Sequence, residues 1–153
     1  MRPIAGPAHP THANPMRTRA MRILCVEEEP LQRKLLGACI ELIAGEPLFA
    51  ASGREAVAIF REHAVDLILL DMNQPAGDGF SALNEIRHLG LRGQQVPILA
   101  VSDNITGLPE SAYRKLGFSA LYVKPVEPYR LLDRMDASLI AAGQPPLFRV
   151  PVG

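Results

Sequence analysis

The sequence predicts an α/β fold, a doubly wound parallel sheet with helices on both faces. Two observations predict it. Short runs such as Ile23-Leu24-Cys25-Val26, Leu67-Ile68-Leu69-Leu70 and Ile98-Leu99-Ala100-Val101 are apolar at successive positions, which suits strands covered on both faces. Each run is followed by a segment with helical spacing of its apolar residues, so that β-α repeats five times along the chain, and right-handed crossovers then make the sheet parallel.

The elements follow in order. Residues 1–20 hold Pro3, Pro7, Pro10 and Pro15, three arginines and no acid, without a hydrophobic period, and are expected to be a disordered arm. His9 and His12 lack further ligands for a metal and read as a solvated pair. The domain begins at Met21. Residues 22–26 form the first strand and run into Glu27-Glu28-Glu29-Pro30, where Pro30 suits the first turn of a helix and the acids favour its positive end. That helix extends to about Ala44, with Leu35, Cys39 and Leu42 along one face and Gly45 ending it.

Leu48-Phe49-Ala50 is a short second strand, and Ser52-Gly53-Arg54-Glu55 has the spacing of a capping box, opening a helix with Ala56, Val57 and Phe60 inward. The third strand, 66–70, ends in Asp71 and breaks into a loop rich in Pro, Gly and Asn. Phe80, Leu83 and Ile86 mark the inner face of a third helix that stops near Gly90. The fourth strand, 96–101, ends in Ser102-Asp103-Asn104. Gly107 and Pro109 confine the next helix to about Pro109–Leu116. Ala120-Leu121-Tyr122-Val123 is the fifth strand, ending in Lys124-Pro125, and a last helix from Glu127-Pro128 shows Leu131, Met135 and Leu139. The domain is expected over 21–142, with a short Pro-rich tail over 143–153.

Composition sets the bounds. The chain of 153 residues suits one ordinary domain. Its 16 basic and 16 acidic residues cancel, so no global field draws it to nucleic acid or an anionic membrane. No window approaches the roughly eighteen consecutive apolar residues of a membrane span. Cys25 and Cys39 fall inside apolar segments without metal-ligand neighbours, and read as reduced core residues of a cytosolic protein.

In a parallel sheet every strand's C-terminal end lies on one edge, where open α/β sheets place their ligands. Glu27, Glu28, Asp71, Ser102 and Lys124 therefore converge although they are far apart in the chain. Two readings fit this set. Carboxylates suit Mg²⁺, an Asp beside it is a nucleophile toward phosphorus, and a Lys neutralises the transferred charge. Alternatively, Lys124 and an acid form a buried ion pair that closes the sheet edge.

Residues 21 to 142 resemble a receiver domain of the bacterial two-component response regulators. Four spaced motifs carry the resemblance: the strand into Glu27-Glu28-Glu29-Pro30; Asp66 to Asp71 with Gln74-Pro75 and Asp78-Gly79; Pro97 to Ser102; and Val123-Lys124-Pro125. It implies a flavodoxin-like sheet in the order 2-1-3-4-5 flanked by five helices. Carried over by position, it makes Asp71 the phosphoacceptor. Glu27 and Glu28 become the acidic pair at Mg²⁺, with Glu28 the direct ligand, and Asn73 supplies a backbone carbonyl to the metal. Ser102 becomes the switch hydroxyl, and Lys124 the partner of Asp71 or its phosphoryl group. The Lys124–Pro125 bond is often cis in the family.

Three positions depart from the family pattern. The acidic pair is Glu-Glu rather than Asp-Asp. Asp103 follows the switch hydroxyl where a small residue is usual, and a carboxylate there repels a phosphoryl group unless it points away. Leu121 occupies the position of the switching aromatic; Tyr122, one residue later, falls on the opposite face by strand alternation. The expected function is that of a stand-alone cytoplasmic regulator that takes a phosphoryl group from a histidine kinase or phosphotransfer protein. Output would go through a downstream protein partner, on the face built by 106–142, with neither nucleic acid nor membrane involved. The alternative is a receiver-like binding module that works without phosphorylation; a phosphohydrolase is disfavoured because Asn73 stands where its second acid would be.

Overall fold

The computed structural model describes residues 19–74 and 78–148. The expected arm apart from its last two residues, His9 and His12, the loop residues Pro75, Ala76 and Gly77, and the end of the tail lie outside the described residues. The elements are β1 (Arg22–Val26), α1 (Pro30–Glu41), β2 (Glu46–Ala50), α2 (Gly53–Glu62), β3 (Leu67–Asp71), α3 (Asp78–Arg87), α4 (Gly90–Gln95), β4 (Ile98–Ser102), α5 (Glu110–Leu116), β5 (Ala120–Val123) and α6 (Pro128–Ala141). All strand pairs are parallel, and the sheet runs β2-β1-β3-β4-β5.

Period-two alternation divides the core. Ile23 and Cys25 of β1, Leu67 and Leu69 of β3, Leu99 and Val101 of β4 and Tyr122 of β5 face one layer, where Leu36, Cys39 and Ile40 of α1 and Leu131, Met135 and Leu139 of α6 cover them. Leu24, Val26, Ile68, Leu70, Ile98, Ala100 and Leu121 face the other, under Ala56, Val57 and Phe60 of α2, Leu83 and Ile86 of α3, Tyr113 of α5 and Phe118. Cys25 and Cys39 are free and buried. Burial raises the Cys39 thiol to about 11 and pushes Cys25 up further, so both behave as apolar core residues. Among the described residues no helix is long and apolar enough to cross a membrane.

Local chemistry fixes the helix starts. Glu29 caps α1, accepting the N–H groups of Leu31 at 3.2 Å and Gln32 at 2.8 Å, and Pro30 takes the first turn. Glu127 and Pro128 repeat the device at α6. Ser52 accepts the Glu55 N–H at 3.1 Å while the Glu55 carboxylate reaches back to the Ala51 N–H, one residue earlier than the usual box.

The structure corrects four expectations. Among the described residues six helices flank the sheet, not five. Gly90, with φ +75°, reads as the end of the third helix, yet α4 starts there and runs through Gly93 because tertiary bonds hold it. Arg87 donates to the carbonyls of Gly93 at 2.9 Å and Val96 at 2.6 Å, and Arg92 donates to those of Phe60 and His63 while lying over the Phe60 ring. On α1 the buried stripe is Leu36, Cys39 and Ile40, so Leu35 and Leu42 are only half-buried. That helix ends at Glu41, and the left-handed residue after it is Ala44, at φ +53°, rather than Gly45. Gly45 is required by crowding, since a Cβ there would stand 2.7 Å from the Ile40 side chain. Finally, Phe80 is 44% exposed, and Ala82 takes the inner position with Leu83 and Ile86.

Packing also extends past Gly143. Leu147 and Phe148 are buried against the α1 and α6 layer, and the Leu147 N–H donates to Asp136 Oδ1 at 2.6 Å.

Candidate functional site

Strand register assembles the site. Val26 pairs with Leu70, so the next residues, Glu27 and Asp71, stand side by side where β1 and β3 end. Ser102 pairs with Val123, which sets Lys124 one step beyond, and the Lys124 N–H donates to the Ser102 carbonyl at 2.8 Å. Alternation sends Glu27, Asp71 and Lys124 to the face of Cys25, Leu69 and Tyr122, and sends Ser102 to the face of Ala100.

Asp71 is 7% exposed. Its Oδ1 accepts the Lys124 ammonium at 3.0 Å and the Asn73 N–H at 2.9 Å. Glu27 is buried beside Asp71 at the strand ends; burial first, and the neighbouring Asp71 carboxyl second, lift its carboxyl to about 7. The Glu29 N–H donates to its other side at 3.0 Å, and the Arg33 guanidinium holds its backbone carbonyl at 2.5 Å. Two carboxyls thus meet, with Lys124 as the ammonium paired to them.

A cleft of about 240 Å³ opens above them, lined by Glu27, Glu28, Glu29, Gln32, Asp71, Asn73, Gln74 and Lys124. Glu28 is exposed on its rim. Among the described residues no three His, Cys, Asp or Glu side chains close on one point, and Glu27 and Asp71 are the two buried acids at the strand ends. Two carboxylates suffice for Mg²⁺, which keeps several waters. The residues present fit such an ion, because the buried carboxyls of Glu27 and Asp71 stand at adjacent strand ends and line one open cleft with Glu28 and Asn73.

Sequence reasoning missed the staples of the cleft. Asn73 Oδ1 accepts the Asp103 N–H at 3.0 Å, joining the loops after β3 and β4, and Gln74 Nε2 donates to the Val26 carbonyl at 3.1 Å, joining the loop after β3 to β1. In the sequence Asn73 has a role only through the backbone carbonyl that the resemblance assigns it, and Gln74 only a place in a motif, so neither side chain is marked. Asp103 is exposed and does not line the cleft; its carboxylate accepts the Ile105 N–H at 3.1 Å in an Asx-turn.

Ser102 is 5% exposed, and its Oγ accepts the Asn104 N–H at 2.9 Å. Leu121 packs in the α2–α3 layer and Tyr122 in the opposite one, as alternation requires. The Tyr122 hydroxyl accepts the Glu127 N–H at 2.8 Å and donates to the Pro125 carbonyl at 3.1 Å, tying down the loop that follows Lys124. The Lys124–Pro125 peptide is cis.

Comparison with known proteins bears on the family and the fold. The family profile of the response regulator receiver domain matches residues 23–136. A probable transcriptional regulator, ycf27, of Cyanidium caldarium is 31% identical over 132 residues, covering 82% of this chain and 49% of the relative. The signal transduction histidine-protein kinase BarA of Escherichia coli K12 is 32% identical over 112 residues, 73% of this chain and 12% of the kinase. The chain thus spans about half the length, or less, of these relatives. Among solved structures, chemotaxis response regulator CheY4 of Vibrio cholerae superposes with TM-score 0.70 at 26% identity, covering 79% of this chain and all of that one. The receiver domain of sensor histidine kinase PA1611 of Pseudomonas aeruginosa PAO1, with a magnesium ion coordinated in its active site cleft, gives TM-score 0.68 at 27% identity, covering 82% of this chain and all of that one.

Proposed function

This chain belongs to the response regulator receiver domain family, and from that membership we propose that Asp71 accepts a phosphoryl group from a histidine kinase or histidine phosphotransfer protein. The observation that carries the proposal is the setting of Asp71: buried at the end of β3, between the carboxyl of Glu27 and the ammonium of Lys124, with the cleft in front of it.

In the proposed step an Asp71 carboxylate oxygen attacks the phosphorus of a phosphohistidine. The new O–P bond forms as the P–N bond breaks, and the electron pair stays with the donor imidazole. Lys124, already 3.0 Å from Oδ1, balances the charge that arrives. Glu27, Asp71 and the Asn73 carbonyl would hold Mg²⁺, with Glu28 beside it on the rim. When bound, that ion supplies positive charge to the phosphoryl oxygens. Glu27, whose carboxyl burial pushes up, would have to give up its proton to hold the ion, so metal affinity would rise with pH. Added charge on Asp71 then biases the fold toward the arrangement in which Ser102 and Lys124 close on the phosphoryl group. Output is read by a protein on the face built by 106–142, where Leu108, Leu116, Val123 and Ile140 are exposed.

The test is incubation with acetyl phosphate and Mg²⁺, followed by intact mass. A single phosphoryl gain that Asp71→Asn abolishes is expected. No gain under conditions that label a control receiver overturns the proposal. One observation favours a second reading, a binding module that works without phosphate: the Asp71 carboxylate is already held by the Lys124 ammonium and the Asn73 N–H. That reading requires partner affinity to be unchanged by Asp71→Ala.

A further inference from the structure

We infer that Tyr113, on α5, is the aromatic side chain that carries the state of Ser102 to the outer surface, in place of the β5 position filled by Leu121. The inference rests on the phosphoacceptor reading of Asp71.

Ser102 continues the row of Ile98 and Ala100, and so borders the layer that holds Tyr113, Phe118 and Leu121 rather than the layer of Asp71 and Lys124. It is linked to that layer by one residue. The Asn104 N–H donates to Ser102 Oγ at 2.9 Å, and the Tyr113 hydroxyl donates to Asn104 Oδ1 at 3.4 Å. Asn104 sits in the left-handed region at φ +53°, and its carbonyl accepts the Gly107 N–H at 2.9 Å, so the 104–107 turn is wound around it. The Tyr113 ring is buried and lies 5.8 Å from Phe118, which meets the half-exposed Phe80 at 6.3 Å. A continuous path therefore leads from the strand-end hydroxyl to α3 and α5. Leu121 lies in the same layer and has no polar atom on its side chain to join it.

The coupling follows from hydrogen-bond accounting. When Ser102 swings its Oγ to another rotamer to reach a phosphoryl oxygen, that oxygen moves away from the half-buried Asn104 N–H, which loses its acceptor. An N–H in such a place finds another partner, so the turn rewinds and moves the Asn104 side chain on which Tyr113 is anchored. Tyr122 is not placed for this task. It lies on the opposite face with its hydroxyl held by Glu127 and Pro125.

The test uses the full chain with its three tyrosines, Tyr113, Tyr122 and Tyr129, replaced by 3-fluorotyrosine. Fluorine NMR follows each, assigned by single Tyr→Phe changes, while mass spectrometry follows the label on Asp71 from acetyl phosphate and Mg²⁺. The expected result is a shift of the Tyr113 resonance in proportion to the label, with Tyr122 still. In Asn104→Ala the label is expected to form as before, with the Tyr113 resonance displaced from the outset and no longer responding. A label that forms while Tyr113 stays still, or a Tyr113 response that survives Asn104→Ala, overturns the relay and leaves the phosphoacceptor reading intact. A chain that takes no label overturns both.

Discussion

The carboxyl of Glu27 stands beside that of Asp71 at the ends of β1 and β3, and burial first and the Asp71 carboxyl second lift it to about 7. The pair exists because Val26 and Leu70 are paired in register and the two acids follow them on one face of the sheet. Its consequence is a proton held in the folded chain that the unfolded chain gives up.

The sign of the pH effect follows. Between the ordinary value of 4.5 and about 7, the folded state binds the Glu27 proton and the unfolded state does not. This group's stabilisation is therefore fully present below that window and is lost as pH rises through it, by about 1–3 kcal/mol in all. Urea midpoints in a metal chelator, at about pH 5 and about pH 7.5, measure it against Glu27→Gln. The fall with pH is expected to be smaller in the variant. An identical pH dependence in both chains would contradict the proton held on Glu27.

Lys124 gives a second prediction. Its pairing with Asp71 is mostly shielded, the side chains being 22% and 9% exposed. Lys124→Met leaves two adjacent carboxyls without that ammonium, and a loss of about 1–3 kcal/mol is expected. Much of the loss should vanish in an Asp71→Asn background. A double-mutant cycle on denaturation midpoints reads the coupling, with about 1 kcal/mol or more expected for groups in contact.

Arg87 is a stability element with no part in the chemistry. Its guanidinium donates to the carbonyls of Gly117, Gly93, Gln94 and Val96, and burial lowers its pKa. Arg87→Met is expected to cost about 3 kcal/mol, because several half-buried carbonyls lose a charged donor at once. Hydrogen exchange should show α4 opening first. Protection of α4 that is unchanged in the variant would mean that something else holds that helix.

The segment after α6 is testable in the same way. Leu147 is 2% exposed in the core layer of α1 and α6. Leu147→Ala is expected to destabilise the domain by about 2–4 kcal/mol, as for other core leucines. A tail that merely trailed from the domain would leave the denaturation midpoint where it was.

Strand existence and the placing of Glu27, Asp71, Ser102 and Lys124 on one sheet edge were legible in the residues, while the strand order came from the family resemblance. Uninterrupted apolar runs and β-α alternation are local patterns, and chain order alone puts every strand end on one edge. Neighbouring residues on α1 were harder to tell apart. Leu35 and Leu36 are both leucines 100° apart around the helix axis, and only contact with β1 and α6 makes Leu36 the buried one.

What the sequence determined by itself was therefore the scaffold and the identity of the acids, hydroxyl and ammonium on its edge. Tertiary structure alone decided which of them touch. Burial gave Glu27, not Glu28, the place beside Asp71 and its proton. The 87–96 segment became helical around Gly93 because Arg87 and Arg92 supply bonds from other parts of the chain. Asn104 and Tyr113 meet Ser102 through a turn whose left-handed residue no pattern announces. In each case the deciding term is the pairing of a buried polar group, and that pairing depends on where distant residues come to lie.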